Sequence, residues 1–149
     1  MKTRTGPEAG FTLVELMITI VIGTILLSIA IPSYQSQIRK SRRTEAKTAI
    51  LDLASREERL FSTTNNYSQA PVDMGYPGAW PQSIGGGYYT VSVTAAPVAG
   101  NVPATFTITA TAVNTQLKDT QCQTFTVDQT GKQASLDANG ANSNATCLN

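Results

Sequence analysis

The sequence predicts an α+β protein: one long N-terminal helix, half membrane segment and half amphipathic, packed on a three- to four-stranded antiparallel sheet. Three observations lead there. Residues 11–31 are a run of 21 whose only charge is Glu15. Further along, apolar residues recur at three- to four-residue spacing, the period of a helix face. After residue 88 they alternate, the period of half-buried strands.

The elements follow in order. Residues 1–10 (MKTRTGPEAG) are polar, carry Lys2 and Arg4, and are too short to pack. As a helix, residues 11–31 would span roughly 32 Å at about 1.5 Å per residue, close to the hydrocarbon thickness of a bilayer. The run is longer than the roughly 7–15 residues of a secretory h-region, and Ala30-Ile31-Pro32 makes a poor cleavage site after it. The junction that reads as a processing site precedes the run, at Gly10-Phe11. Beyond Pro32, Ala46, Ala49, Ile50, Leu53, Leu60 and Phe61 share one helix face. Arg42, Glu45, Lys47, Asp52, Arg56, Glu58 and Arg59 lie largely elsewhere. The helix is therefore expected over residues 11–61, its outer stripe covered by a second layer.

Residues 62–149 make the globular part. From 62 to 87 the punctuation (Asn65-Asn66, Pro71, Pro77-Gly78, Pro81, Gly85-Gly86-Gly87) predicts a loop with little regular structure, pinned by Tyr67, Tyr76 and Trp80. The glycine triplet reads as a flexible hinge. Sheet is expected over 88–136. Tyr89, Val91, Val93 and Ala95 share one face and Phe106, Ile108, Ala110 and Ala112 another. Residues 122–127 lead through Asp128-Gln129-Thr130-Gly131, a hairpin turn, into 132–136. The tail after residue 136 reads as loop. Cys122 and Cys147, a late pair in a small domain behind a membrane segment, suggest one disulfide bounding region 122–147. Two separate buried thiols are the alternative.

Composition excludes several classes. With 11 Lys+Arg against 10 Asp+Glu, no strongly basic surface points to nucleic acid as the main partner. The chain has no His, which removes Ser-His-Asp and Cys-His nucleophile systems and most zinc sites. Asp137-Ala138-Asn139-Gly140 starts like a calcium loop and then departs from the pattern. The sequons at Asn66 and Asn144 are chance-level matches. No catalytic residues, metal or cofactor are predicted.

Gly10-Phe11-Thr12-Leu13-Val14-Glu15, behind a short charged leader and ahead of an apolar run with Pro32 near its end, resembles the processing site of type IV prepilins. The stretch Phe125 to Gly131 is similar to the E group of minor pilins. The resemblance implies the pilin fold and a structural role. Prepilin peptidase would cut the leader, residues 1–10, between Gly10 and Phe11, and Phe11 would be N-methylated. Glu15 would meet the N-terminal amine of a neighbouring subunit. Physics supports that role, because an ionisable group in a membrane helix needs a partner; snorkelling to the interface is the alternative. Gly23 and Pro32 would bracket a stretch able to lose helicity in the filament. The partners implied are other pilin subunits, the peptidase, the pilus assembly platform and, before assembly, the inner membrane. The C-terminal domain would lie in the periplasm and then on the pilus. The cluster Arg39-Lys40-Ser41-Arg42-Arg43 opposes this orientation under the positive-inside rule. Outside the membrane it would meet lipid phosphates or acidic groups, or form a solvated helix face. DNA is a further partner that the charge balance does not support. Rival readings are a type II secretion pseudopilin and a pilus-tip adhesin or DNA-uptake pilin. An anchored enzyme is the weakest.

Overall fold

The computed structural model describes residues 10–99 and 102–148. They divide into two compact units, one ending at Ile38 and one starting at Arg39. One helix, α1 (Leu13–Thr64), contributes to both.

In the first unit, α1 begins where Thr12 can cap it. The Thr12 hydroxyl accepts the Glu15 N–H at 3.2 Å, and the Thr12 carbonyl accepts the Leu16 N–H at 3.1 Å. Leu, Ile, Val and Met follow on every side, and none of the most apolar 18-residue window is buried within the chain. Its mean hydropathy is 2.5, and the helix is long and apolar enough to cross a membrane. Three of its hydroxyls are satisfied locally: those of Thr19, Thr24 and Ser28 each donate to a carbonyl one turn back at 2.7 Å. Pro32 lies inside the helix and removes one backbone donor, and the chain from Gly23 to Pro32 is helical.

In the second unit, α1 buries Ala46, Ile50, Leu53 and Glu57, a single stripe at i, i+4, i+7 and i+11. It ends at Asn65, whose φ of 57° reverses the chain while its N–H still reaches the Phe61 carbonyl at 2.8 Å. The sheet is an antiparallel meander in the order β1 (Gln82–Ile84), β2 (Tyr89–Ala96), β3 (Thr105–Ala112), β4 (Thr124–Asp128), β5 (Gln133–Leu136). Alternation decides its two faces. One buries Tyr89, Val91, Val93, Phe106, Ile108, Ala110, Phe125 and Val127 in the same core as Ala46, Ile50 and Leu53. Across it, Val91 pairs with Ala110 and Ala110 with Phe125, so a small side chain sits between two larger ones. The other face is a hydroxyl array in which Thr90, Thr111 and Thr124 stand in one row and Ser92, Thr109 and Thr126 in the next. Threonine suits both the pleat and water.

The sheet has five strands where the sequence predicts three or four. The extra one is β1, inside the stretch 62–87 expected to be loop. Three residues between Pro81 and Gly85 are too few to show alternation, and β1 exists because β2 offers it an edge. Gly85 to Gly87 are not a hinge but the turn that brings β1 back along β2, closed by the Gly87 N–H on the Ile84 carbonyl at 3.1 Å. Gly85 has φ 56°, and a Cβ there would fall 2.7 Å from Glu45 Oε2. The stretch also holds a 3-10 turn, Pro71–Met74; a second, Asn114–Lys118, links β3 to β4, and the tail ends in a short helix, α2 (Asn144–Cys147). Tyr67 stacks on Phe61 and meets Phe106 edge-on, while Trp80 donates to the Gln69 carbonyl at 2.9 Å.

Cys122 and Cys147 are joined in a disulfide, 25 residues apart in sequence. On the chain-entropy model such a cross-link contributes roughly 3.5 kcal/mol by restricting the unfolded chain.

Candidate functional site

Residues 1–9, the greater part of the expected leader, lie outside the described part. Gly10 and Phe11 precede α1, and the Phe11 side chain is 85% exposed. Thr12 and Glu15 have the spacing of a capping box, in which the acid reaches back to the cap N–H. Only the forward half is made: Thr12 accepts from Glu15, but the Glu15 carboxylate has no partner among the described residues. The first turn therefore holds an exposed carboxylate on a helix that is apolar all round. Such a helix needs a covering medium, lipid or other helices, and the carboxylate needs a cation. The Thr12-x-x-Glu15 pattern was there to be read in the sequence.

Half of the basic cluster is structural. Arg43 forks onto Asp119, with Nε to Oδ2 at 2.6 Å and Nη2 to Oδ1 at 2.7 Å. Asp119, only 3% exposed, also accepts from Gln116 Nε2 at 3.1 Å. The Gln116 amide reaches the Tyr89 hydroxyl at 3.2 Å, and that hydroxyl donates to the Cys122 carbonyl at 3.3 Å. Burial pushes the Tyr89 hydroxyl up to about 12, so it remains a donor. Arg42 lies over the Tyr88 ring, 3.3 Å from its centroid. Two of the four cations in Arg39-Lys40-Ser41-Arg42-Arg43 thus bind α1 to the sheet and to the 3-10 segment before β4, a role independent of membrane orientation. Asp119 and Gln116 lie in a loop of no recognisable pattern, and nothing in the sequence marks them as the partners.

Glu57 is the polar member of the core stripe. Its side chain is fully buried; Oε2 accepts the Ser68 N–H at 3.0 Å and Oε1 has no partner among the described residues. Burial raises its carboxyl above the ordinary 4.5, the Ser68 N–H pulling back and Asp73 and Glu58 adding to the rise. Folded Glu57 therefore binds its proton more tightly than unfolded Glu57 does. Its destabilising contribution is full above the folded value and gone below the unfolded one. Glu57→Gln is expected to exceed the wild type in stability at neutral pH, by a margin that shrinks as pH falls through the folded value towards 4.5. Urea unfolding of both chains across that window checks this; a margin that stays constant or grows would contradict it.

Grooves flank the outer half of α1, among them one beside β1 and one beside Cys147. One, open and about 760 Å³, lies between the helix and β1, with Glu45, Asp52, Tyr76 and Ile84 in its walls. Asp52 is paired with Arg56 at 2.9 Å. The other, on the side of Cys147, is small and polar. Among the described residues no group of His, Cys, Asp and Glu is placed to hold a metal. Asp137 Oδ1 is used by the N–H groups of Asn139 and Ala141, a self-contained turn. Asn144 Oδ1 accepts the Ser135 N–H, and Asn66 Oδ1 accepts that of Val98.

Comparison with known proteins gives the same picture from another side. A family model described as "Type IV minor pilin ComP, DNA uptake sequence receptor" matches residues 32–126, well over half of the chain. A second, the "Prokaryotic N-terminal methylation motif", matches residues 7–31. The "Type IV major pilin protein PilA" of Myxococcus xanthus (strain DK1622) is 39% identical over 67 residues, covering 45% of this chain and 30% of that protein. The match thus spans less than a third of the relative's own length. The minor-pilin match stops within β4, leaving β5 and α2 outside it.

Proposed function

Because this chain belongs to the type IV minor pilin family, we propose that it is a structural subunit of a type IV pilus and has no enzymatic role. The observation that carries the proposal is the apolar helix with one unpartnered carboxylate in its first turn. In the membrane, lipid covers the helix and the carboxylate costs free energy; in a filament, neighbouring helices cover it and a free amine meets the carboxylate.

The steps follow from this. Prepilin peptidase removes the leader between Gly10 and Phe11, on the cytoplasmic side, and Phe11 is N-methylated. Until assembly the chain crosses the inner membrane once, with its sheet domain in the periplasm, where the Cys122–Cys147 disulfide persists. The assembly platform then transfers α1 into the filament. There Glu15 meets the amine of a neighbouring subunit, and the stretch between Gly23 and Pro32, which lacks one backbone hydrogen bond, is where the helix opens if packing demands it.

The family description names a DNA receptor. In this chain the residues after Phe61 hold two cations, Lys118 and Lys132, against four acids, Asp73, Asp119, Asp128 and Asp137. Counted from Arg39, where the compact unit begins, the balance is nine Lys and Arg against eight Asp and Glu, no excess that would draw a phosphate backbone, so the structural role is the reading taken. The test is recovery of the chain in filaments sheared from cells, together with the phenotype of a clean deletion. Presence in filaments with lost twitching motility is expected. Absence from filaments with lost protein secretion would move the chain to the pseudopilins, and lost transformation alone would favour the DNA reading.

A further inference from the structure

The small groove beside Cys147 is a cavity of about 230 Å³ lined by Lys40, Arg43, Thr44, Lys47, Thr146 and Cys147. Lys40, Arg43 and Lys47 recur at i, i+3 and i+7 and so share one helix face. The opposite wall is held in place by the disulfide through Cys147. Three cations meet here, and Asp119 balances one of them, leaving an excess of two positive charges. The donors are only partly used. Arg43 spends Nε and Nη2 on Asp119, and its Nη1 has no partner among the described residues. Lys47 gives one proton to the Cys147 carbonyl at 3.3 Å and keeps two. Lys40 and the Thr146 hydroxyl have no side-chain partner among the described residues. Unused donors thus line a polar, positively charged hollow.

We propose that this cavity binds a phosphate group. A phosphate offers several acceptor oxygens to four donor side chains from different directions, and its negative charge at neutral pH, about one on a phosphodiester and nearly two on inorganic phosphate, falls within the excess. The cavity falls below the roughly 300 Å³ at which small-molecule pockets begin, so a phosphate group fits and the rest of a larger molecule stays outside. Two sources share this chemistry, the headgroup of an anionic phospholipid and free inorganic phosphate. Lys40 follows Ile31, the end of the apolar run, by nine residues, which makes a headgroup phosphate one of the two sources to test. The inference is independent of assembly, since it concerns the unpolymerised chain.

The full-length chain in neutral detergent micelles is titrated with sodium phosphate at constant ionic strength and, separately, with short-chain phosphatidylglycerol added to the micelles. The amide NMR shifts of Thr146 and Cys147 are followed. Saturable shifts are expected. Lys40→Gln with Lys47→Gln should weaken binding at least tenfold, about 1.4 kcal/mol, whereas Lys40→Arg retains it. Lys40→Gln alone, at an exposed side chain, keeps the fold and still weakens binding. Saturation by both ligands supports the site as a general phosphate binder, and saturation by the lipid alone assigns it to headgroups. Equal shifts from sodium chloride, affinities unchanged by both glutamine substitutions, or saturation by neither ligand would overturn it.

Discussion

A chain carrying Glu15→Ala is expected to be cut and methylated normally, to accumulate in the membrane, and to fall at least tenfold in sheared filaments. The reasoning compares the two environments of one carboxylate. Within a bilayer an ionised side chain costs up to roughly 2.5–3.5 kcal/mol, less near the helix end. On the proposed role, Glu15 gains by leaving lipid for a filament in which an amine meets it. Alanine removes both the cost of staying and the gain of leaving, and each change favours the membrane. Because each 1.4 kcal/mol is about a factor of ten, even part of this cost gives a clear loss. Immunoblots of filament and membrane fractions measure it. Wild-type incorporation would remove the assembly role given to Glu15.

The second large effect is on stability. Asp119→Ala is expected to cost about 3–5 kcal/mol, the range for breaking one side of a buried ion pair. Asp119 takes two hydrogen bonds from Arg43 and one from Gln116. Without it the Arg43 guanidinium, whose side chain is 13% exposed, stays desolvated and unpaired. Against a total stability of about 5–15 kcal/mol, this loss brings the domain near unfolding. Replacing both partners, Arg43→Met with Asp119→Leu, should cost much less, because no charge is left stranded. Urea unfolding of the full chain, followed by Trp80 fluorescence, compares the two. A single substitution costing under about 1 kcal/mol would place the pair among weakly contributing surface bridges.

The parts of the fold legible beforehand were those with a period. The apolar run, the stripe through Ala46, Ile50 and Leu53, and the alternation in β2 and β3 each repeat often enough to register. What escaped lacks repetition. Three-residue β1 depends on the edge of β2. Glu57, a charged residue type on the buried face, runs against the pattern by which burial is read. In the basic cluster, charge alone suggested either a topology signal or a solvated face. A partner 76 residues away makes Arg43 a clamp instead. Of the candidate site, the Gly10-Phe11 junction and Glu15 were plain in sequence. The small cationic cavity was not, because Thr146 joins Lys40 and Lys47 only through the fold.

The central claim is that this chain is a processed, membrane-anchored pilus subunit with an oxidised outer domain. It is tested most directly by intact mass and N-terminal sequencing of the protein from its native membrane. The account predicts a chain beginning at Phe11, heavier by one methyl group and lighter by the two hydrogens of the disulfide. A chain that retains the leader, with both thiols free, would contradict it and would put the outer domain on the cytoplasmic side.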